Sequence, residues 1–228
     1  MKIGFLCSAG GSPLFTALEI LLPLQIIKKT DINVLSDRSC EALDRAKELG
    51  LSAEIINWSN TENFSLEASK YFKNCDFIIL LFSRLVDKNL FETIPTLNIH
   101  PSLLPSFKGF KALEQAIKYK SRFFGASLHL VNEKMDDGPL IAQTINPLPS
   151  NADLSLVSKI SYLQKTYLIL LIIDLMQNDI LDIQVRTQSF VWKKETGFSQ
   201  FANPILVNKQ IQNEYDLVYH RELYGIMT

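Results

Sequence analysis

The chain has 228 residues, enough for one α/β domain with a full core and too few to require two independent ones. Its 23 Lys and Arg against 24 Asp and Glu give a formal charge of -1, so no net field draws it to nucleic acid or a membrane surface, and a small-molecule substrate fits better. Three cysteines, Cys7, Cys40 and Cys75, with no CxxC or His-rich spacing, argue against both a disulfide framework and a metal site.

The opening MKIGFLC is far too short for a secretory apolar segment, so the expected location is cytoplasmic. Residues 2–7 read as a buried strand stopped by a turn at 8–11, with Ser12 as N-cap and Pro13 as first residue of the helix that follows. The pattern repeats: strand at 32–35, helix at 40–49 ending at Gly50, strand at 53–56. Residues 76–82 (DFIILLF) and 95–100 are near-continuously apolar, as strands covered on both faces should be, and are expected at the centre of a parallel sheet. Beyond them, 109–120 reads as a helix, and 124–131 and 140–146 as strands able to pair as a hairpin through the turn at Asp136, Asp137, Gly138 and Pro139. Apolar residues at 156, 160, 163, 167 and 170 predict a long buried helix over 153–176, whose greasiest run is cut by Asp174 before the roughly 20 residues a membrane span needs. Residues 181–228 fit short strands and a final helix. The expected architecture is α/β, a Rossmann-like, mostly parallel twisted sheet with flanking helices, divided into a catalytic domain at 1–178 and a C-terminal extension at 179–228 packed on or near it.

Asn98 and His100 fall at the carboxyl end of a central parallel strand, where open α/β sheets collect ligands, and two-residue spacing puts both side chains on one face. An amide beside an imidazole suits holding an oxyanion and then handling a proton, although such a pair is more often a structural hydrogen bond. Asp136 and Asp137 read first as a solvated turn, and a carboxylate there is able to meet His100 if the hairpin folds back. The segment SAGGS at 8–12 exposes backbone N–H groups ahead of a helix, a phosphate-cradle pattern that plain strand-to-helix turns share.

The runs NIHPSLLPSFKG at 98–109, GASLHLV at 125–131 and MDDGPLIAQ at 135–143, in that order, resemble the folate-dependent formyltransferase family, over roughly residues 1–176. The resemblance implies transfer of a formyl group from 10-formyltetrahydrofolate to a primary amine, with no metal. It implies Asn98, His100 and Asp136 as catalytic residues. The folate is expected between Phe82, Ser83, Arg84, Leu85 and Val86 and the segment Val131 to Asp136, which includes Met135. His129 is expected to hold a loop. For the acceptor, the resemblance implies Gly10, Gly11, Ser12 and Gln164. Pro13 and Gln164 depart from the asparagine and glutamate of the purine enzyme, and the chain continues past the core, where Trp192, Phe198, Phe201 and Tyr215 offer aromatic surface. These points favour a nucleotide-linked amino sugar as acceptor, with glycinamide ribonucleotide as the alternative. An oxidoreductase binding a dinucleotide is the reading from another class, prompted by the glycine turn and Asp37 but lacking GxGxxG. The oligomeric state, monomer or homodimer, is left open.

Overall fold

A computed structural model of the chain describes residues 1–225. Strands β1 (Ile3–Cys7), β2 (Ile32–Ser36), β3 (Ser52–Ile55), β4 (Phe77–Leu81) and β5 (Thr96–His100) run parallel, and β6 (Phe123–Leu130), β7 (Leu140–Pro147) and β10 (Ala202–Asn203) continue the sheet antiparallel. The eight strands lie in the order β10-β7-β6-β5-β4-β1-β2-β3, which puts β4 and β5 in the middle. A separate hairpin pairs β8 (Leu181–Gln184) with β9 (Ser189–Trp192).

The apolar strands are covered on both faces, as their composition requires. On one face, Phe5, Val34, Ile79, Leu97 and Ile99 pack with α1 (Ser12–Leu21) and α6 (Leu154–Gln177). On the other, Leu6, Leu35, Ile78 and Leu80 meet Phe64, Ala68 and Phe72 at α3 (Thr61–Tyr71) and Leu90 of α4 (Lys88–Phe91). The helix α2 (Glu41–Glu48) buries Ala42, Leu43 and Ala46. Phe124, Leu148, Val157 and Ile160 form a third cluster with Ala116 of α5 (Ala112–Lys118).

α6 is long and apolar enough by composition to cross a membrane, yet most of it is buried inside this fold, as Asp174 suggested. The C-terminal stretch is sewn to it. Asp174 accepts from the backbone N–H groups of Val207 and Asn208 at 2.6 and 2.9 Å, Tyr167 Oη accepts from Leu206 N, and buried Tyr215 on α7 (Lys209–Tyr224) donates to Leu163 O. Strand β10 from this stretch extends the main sheet. Residues 226–228 of the expected extension lie outside the described residues.

Three sequence expectations shift. Gly11, in the left-handed conformation, rather than Ser12, caps α1, so Ser12 is the first helical residue. The α5 helix starts at Ala112 because the segment before it is irregular, with Phe107, Gly109 and Lys111 all at positive φ. Helix α3 had no counterpart, because its buried face is built of Ser65 and Ser69 as much as Phe64 and Ala68.

Candidate active site

The site lies at the end of β5, where the sheet changes from parallel pairing with β4 to antiparallel pairing with β6. Asn98 and His100 share one face of β5, and His129 of β6 sits directly opposite Asn98 in the ladder. After β6 the chain loops back before β7. A register shift between Leu128 and His129 leaves Ile141 without a partner, a bulge that re-aims this end of the hairpin. Gly138 packs so closely on the Leu130 carbonyl oxygen that a Cβ there would overlap it. This contact turns the loop so that Asp136, in the left-handed conformation with φ 50, lies over Asn98 and His100. The strained backbone, of order 1–2 kcal/mol for a non-glycine residue, is held by the contacts its carboxylate makes.

Asp136 is a buried junction of four groups. Its Oδ1 accepts from Asn98 Nδ2 at 3.2 Å and lies 3.6 Å from His129 Nε2; its Oδ2 accepts from the Gly109 backbone N–H at 2.7 Å and lies 3.3 Å from His100 Nδ1. Burial works to raise its pKa, but the His129 ring, the Gly109 amide and the His100 ring outweigh it, and the carboxyl lies below the usual carboxylate range. It is therefore ionised near neutral pH.

His100 is buried, with its Nε2 against the Phe107 carbonyl at 2.8 Å and its Nδ1 against Asp136. With an acceptor at each nitrogen, both contacts become hydrogen bonds only when the ring carries two protons. Burial opposes that charge most strongly and keeps the pKa below the usual histidine value; Phe107 and Asp136 pull it up, His129 and Lys165 push it down. His129 Nδ1 faces the Leu130 carbonyl at 2.8 Å; with its proton on Nδ1 the neutral ring accepts at Nε2 from Asn98 Nδ2 at 3.2 Å, and when charged it turns that nitrogen's proton to Asp136 instead. Both N–H bonds of the Asn98 amide are thus occupied, by His129 and Asp136. Asp137, by contrast, points outward to an ion pair with Lys108.

These residues border a cavity of about 900 Å³ that reaches from β1 to the hairpin loop. The size falls in the range of sites that enclose a small organic molecule. All five residues from Phe82 to Val86 line it, as do Val131 and Met135, so both sets of residues expected at the donor border one space. Arg84 has a more local task than ligand contact. Its Nε donates to Asp37 at 2.8 Å and its guanidinium lies 4.7 Å over the Trp58 ring, which pins the 82–86 loop. Buried Asp37, which also pairs with Arg38, has its carboxyl drawn down by these two arginines against the burial that would raise it, and is not open to a ribose hydroxyl.

The acceptor residues are divided. Gly11 lines the cavity together with Ser8, Ala9 and Pro13, whereas Gly10 and Ser12 are not part of its wall. Gln164 is fully buried, donating to the Phe124 carbonyl and to Asn146, and does not reach the cavity; it belongs to the core between α6 and the hairpin. The neighbouring Lys165 lines the cavity instead, since one residue along a helix rotates the side chain by about 100°. Nor do Trp192, Phe198, Phe201 or Tyr215 line it: Phe201 and Tyr215 stack with Tyr167 and Tyr219 in the packing of α7. Sequence reasoning missed Lys165, whose signal was a lysine within an otherwise apolar helical stretch, and the backbone groups of Phe107 and Gly109, which leave no signal in side-chain identity.

Comparison with known proteins bears on the family. The profile of the formyl transferase family matches residues 25–169, well over half of the chain. The human trifunctional purine biosynthetic protein adenosine-3 is 29% identical over 155 residues, 64% of this chain, and formyltetrahydrofolate deformylase 2 of Arabidopsis thaliana is 31% identical over 120 residues, 51% of this chain. The chain spans 15% and 37% of the length of those two proteins. The crystal structure of glycinamide ribonucleotide transformylase 1 from Symbiobacterium toebii superposes with a TM-score of 0.73 at 26% identity, covering 82% of this chain and 92% of that one. The chain belongs to the formyl transferase family.

Proposed function

We propose that the protein transfers the formyl group of 10-formyltetrahydrofolate to the primary amine of glycinamide ribonucleotide, with Asn98, His100 and Asp136 as the catalytic residues. The observation that carries the chemistry is the junction at Asp136, whose carboxylate lies 3.2 Å from the Asn98 amide and 3.3 Å from the His100 imidazole where all three line the cavity. The donor fits that cavity: apolar Phe82, Leu85, Val86 and Val131 offer a slot for a flat ring, with backbone groups of both loops beside it. The donor supplies an electrophilic formyl carbon. As the amine attacks it, negative charge grows on the formyl oxygen, and two donors suit that charge. Each is held by an internal acceptor until then: Asn98 releases an N–H from His129, and His100 releases its Nε2–H from the Phe107 carbonyl. Asp136 stabilises the charged form of His100 and, directly or through a water, accepts the proton the amine gives up. As the bond between the formyl carbon and N10 of the folate breaks, that proton is returned to N10, and departure of tetrahydrofolate completes the transfer.

For the acceptor, two of the three motives for an amino sugar are weakened, since Gln164 lies in the core and none of the C-terminal aromatics lines the cavity. The Symbiobacterium relative, a glycinamide ribonucleotide transformylase, supports glycinamide ribonucleotide, and the human purine biosynthetic protein is in keeping with it. Initial rates of formylation with 10-formyltetrahydrofolate on glycinamide ribonucleotide and on nucleotide-linked 3-amino and 4-amino sugars test the reading. The purine nucleotide is expected to have the highest kcat/KM; faster turnover of any sugar would reverse the choice of acceptor, and formate release with no amine formylated would point to a deformylase, the activity named for the Arabidopsis relative.

A further inference from the structure

A lysine faces the cavity with nothing to pair with. Lys165 lies on α6 and lines the same space as His100 and Asp136, close enough to His100 to work against its positive charge. No ion pair or hydrogen bond joins its ammonium to any described residue, and burial alone accounts for the fall of its pKa below the usual lysine value. The other cations of the cavity wall are differently placed. Lys111 and Lys134 are exposed and solvated, and Arg84 is spent on Asp37. An unpaired ammonium in a half-buried position is disfavoured, and a methionine would fill the position without that cost, so a purely structural role leaves the charge unexplained. A cation kept at the edge of a reaction site without a protein partner implies a partner that arrives with the ligand.

We infer that Lys165 is a specificity-determining residue that receives an anionic group, carboxylate or phosphate, carried by the acceptor amine. The inference rests on the amine-formylating reading above and narrows it to acceptors that bear a negative charge near the amine. The same contact has a second effect. An anion seated on Lys165 offsets the positive charge that opposes protonation of His100, whose other ionisable neighbours are Asp136 and His129. Docking of the correct acceptor then favours the charged imidazole, and a neutral amine lacks this advantage.

The test uses the full chain saturated with 5,10-dideazatetrahydrofolate, which cannot donate a formyl group, so that binding is measured without turnover. Matched acceptors are titrated by calorimetry: glycinamide ribonucleotide against its dephosphorylated ribonucleoside, glucosamine 6-phosphate against glucosamine, and alanine against alaninamide. Wild type is expected to bind the anionic member of at least one pair tenfold or more tighter, Lys165→Arg to keep most of that preference, and Lys165→Met to bind both members within about threefold of each other. The phosphate and carboxylate pairs distinguish the two anion sources. Equal binding of all pairs by wild type, binding of none, or a preference that survives in a Lys165→Met protein with an intact thermal melt overturns the inference. Formylation assays on the same amines judge the underlying reading separately: failure to formylate any amine defeats that reading whatever the calorimetry shows.

Discussion

Replacing Asp136 with asparagine keeps the shape of the side chain and removes its charge, which isolates the role of the junction. The carboxylate accepts from Gly109 N at 2.7 Å and from Asn98 Nδ2 at 3.2 Å through different oxygens. An amide has only one oxygen, so either Gly109 or Asn98 is left facing an NH₂ group, and a buried donor without an acceptor costs about 1–3 kcal/mol. The charged partner of His100 Nδ1 at 3.3 Å is lost as well, removing the main electrostatic support for the imidazolium that burial already disfavours. If most of this loss falls on the transition state, about 3–4 kcal/mol is removed there, or 10²–10³ in kcat/KM. The assay is the initial rate of formyl transfer, with calorimetric affinity for a folate analogue as control, expected within about tenfold of wild type. Asp137→Gly, which removes only an exposed ion pair with Lys108, is expected to stay within about fivefold in rate. An Asp136→Asn enzyme with near-normal kcat/KM, or a larger loss from Asp137→Gly, would refute the reasoning.

Four further outcomes follow from the geometry. In Asp136→Asn the share of the upward pull on His100 that comes from the carboxylate disappears, leaving Phe107, so its titration moves to lower pH; the ratio of wild-type to variant kcat/KM should be flat above about pH 7 and shrink as pH falls below about 6.5 toward about pH 5, and a constant ratio down to about pH 5 argues that His100 does not act as a cation. Because the folded pKa values of His100 and Asp136 are both lowered, the unfolded chain takes up these protons first; the stability they contribute is present above about pH 6.5 and about pH 4 respectively and is lost as pH falls through the folded values, so melting temperature should drop on acidification and drop less in His100→Gln. Gly138→Ala, whose methyl group meets the Leu130 carbonyl, should swing the Asp136 turn away and cut kcat/KM by about tenfold or more while the protein stays folded, which circular dichroism with rate assays would check. Asp174→Ala strips the acceptor from the Val207 and Asn208 amides and should cost about 2–4 kcal/mol in urea unfolding with folate-analogue affinity retained.

Much of the fold was legible because its central strands are nearly all apolar and their ends are marked by glycine, proline or asparagine. The site was legible in part. Asn98 and His100 follow from strand polarity and two-residue periodicity, whereas their meeting with Asp136 depends on the bulge near His129 and the close contact of Gly138, neither of which has a local sequence signature. The Gln164 expectation failed for a similar reason. A buried amphipathic helix permits a one-residue error in alignment, and on α6 that error exchanges a core amide for a cavity cation. Helix α3 carried a usable signal at its start, since Asn60 accepts from Asn63 N as an N-cap, but too few large apolar residues to establish a period.

The single backbone hydrogen bond from Gly109 N to Asp136 Oδ2 spans 27 residues of sequence and joins the segment after β5 to the hairpin turn. Neither partner belongs to a regular helix or strand, so the protection of that one amide against solvent deuterium depends on the two loops being together. Its exchange rate is therefore a direct measure of how often the junction comes apart. A protein in which Gly109 exchanges at the rate of an open loop while the amides of β4 and β5 stay protected would be folded and yet without an assembled reaction centre, a state that melting curves cannot distinguish from the competent one.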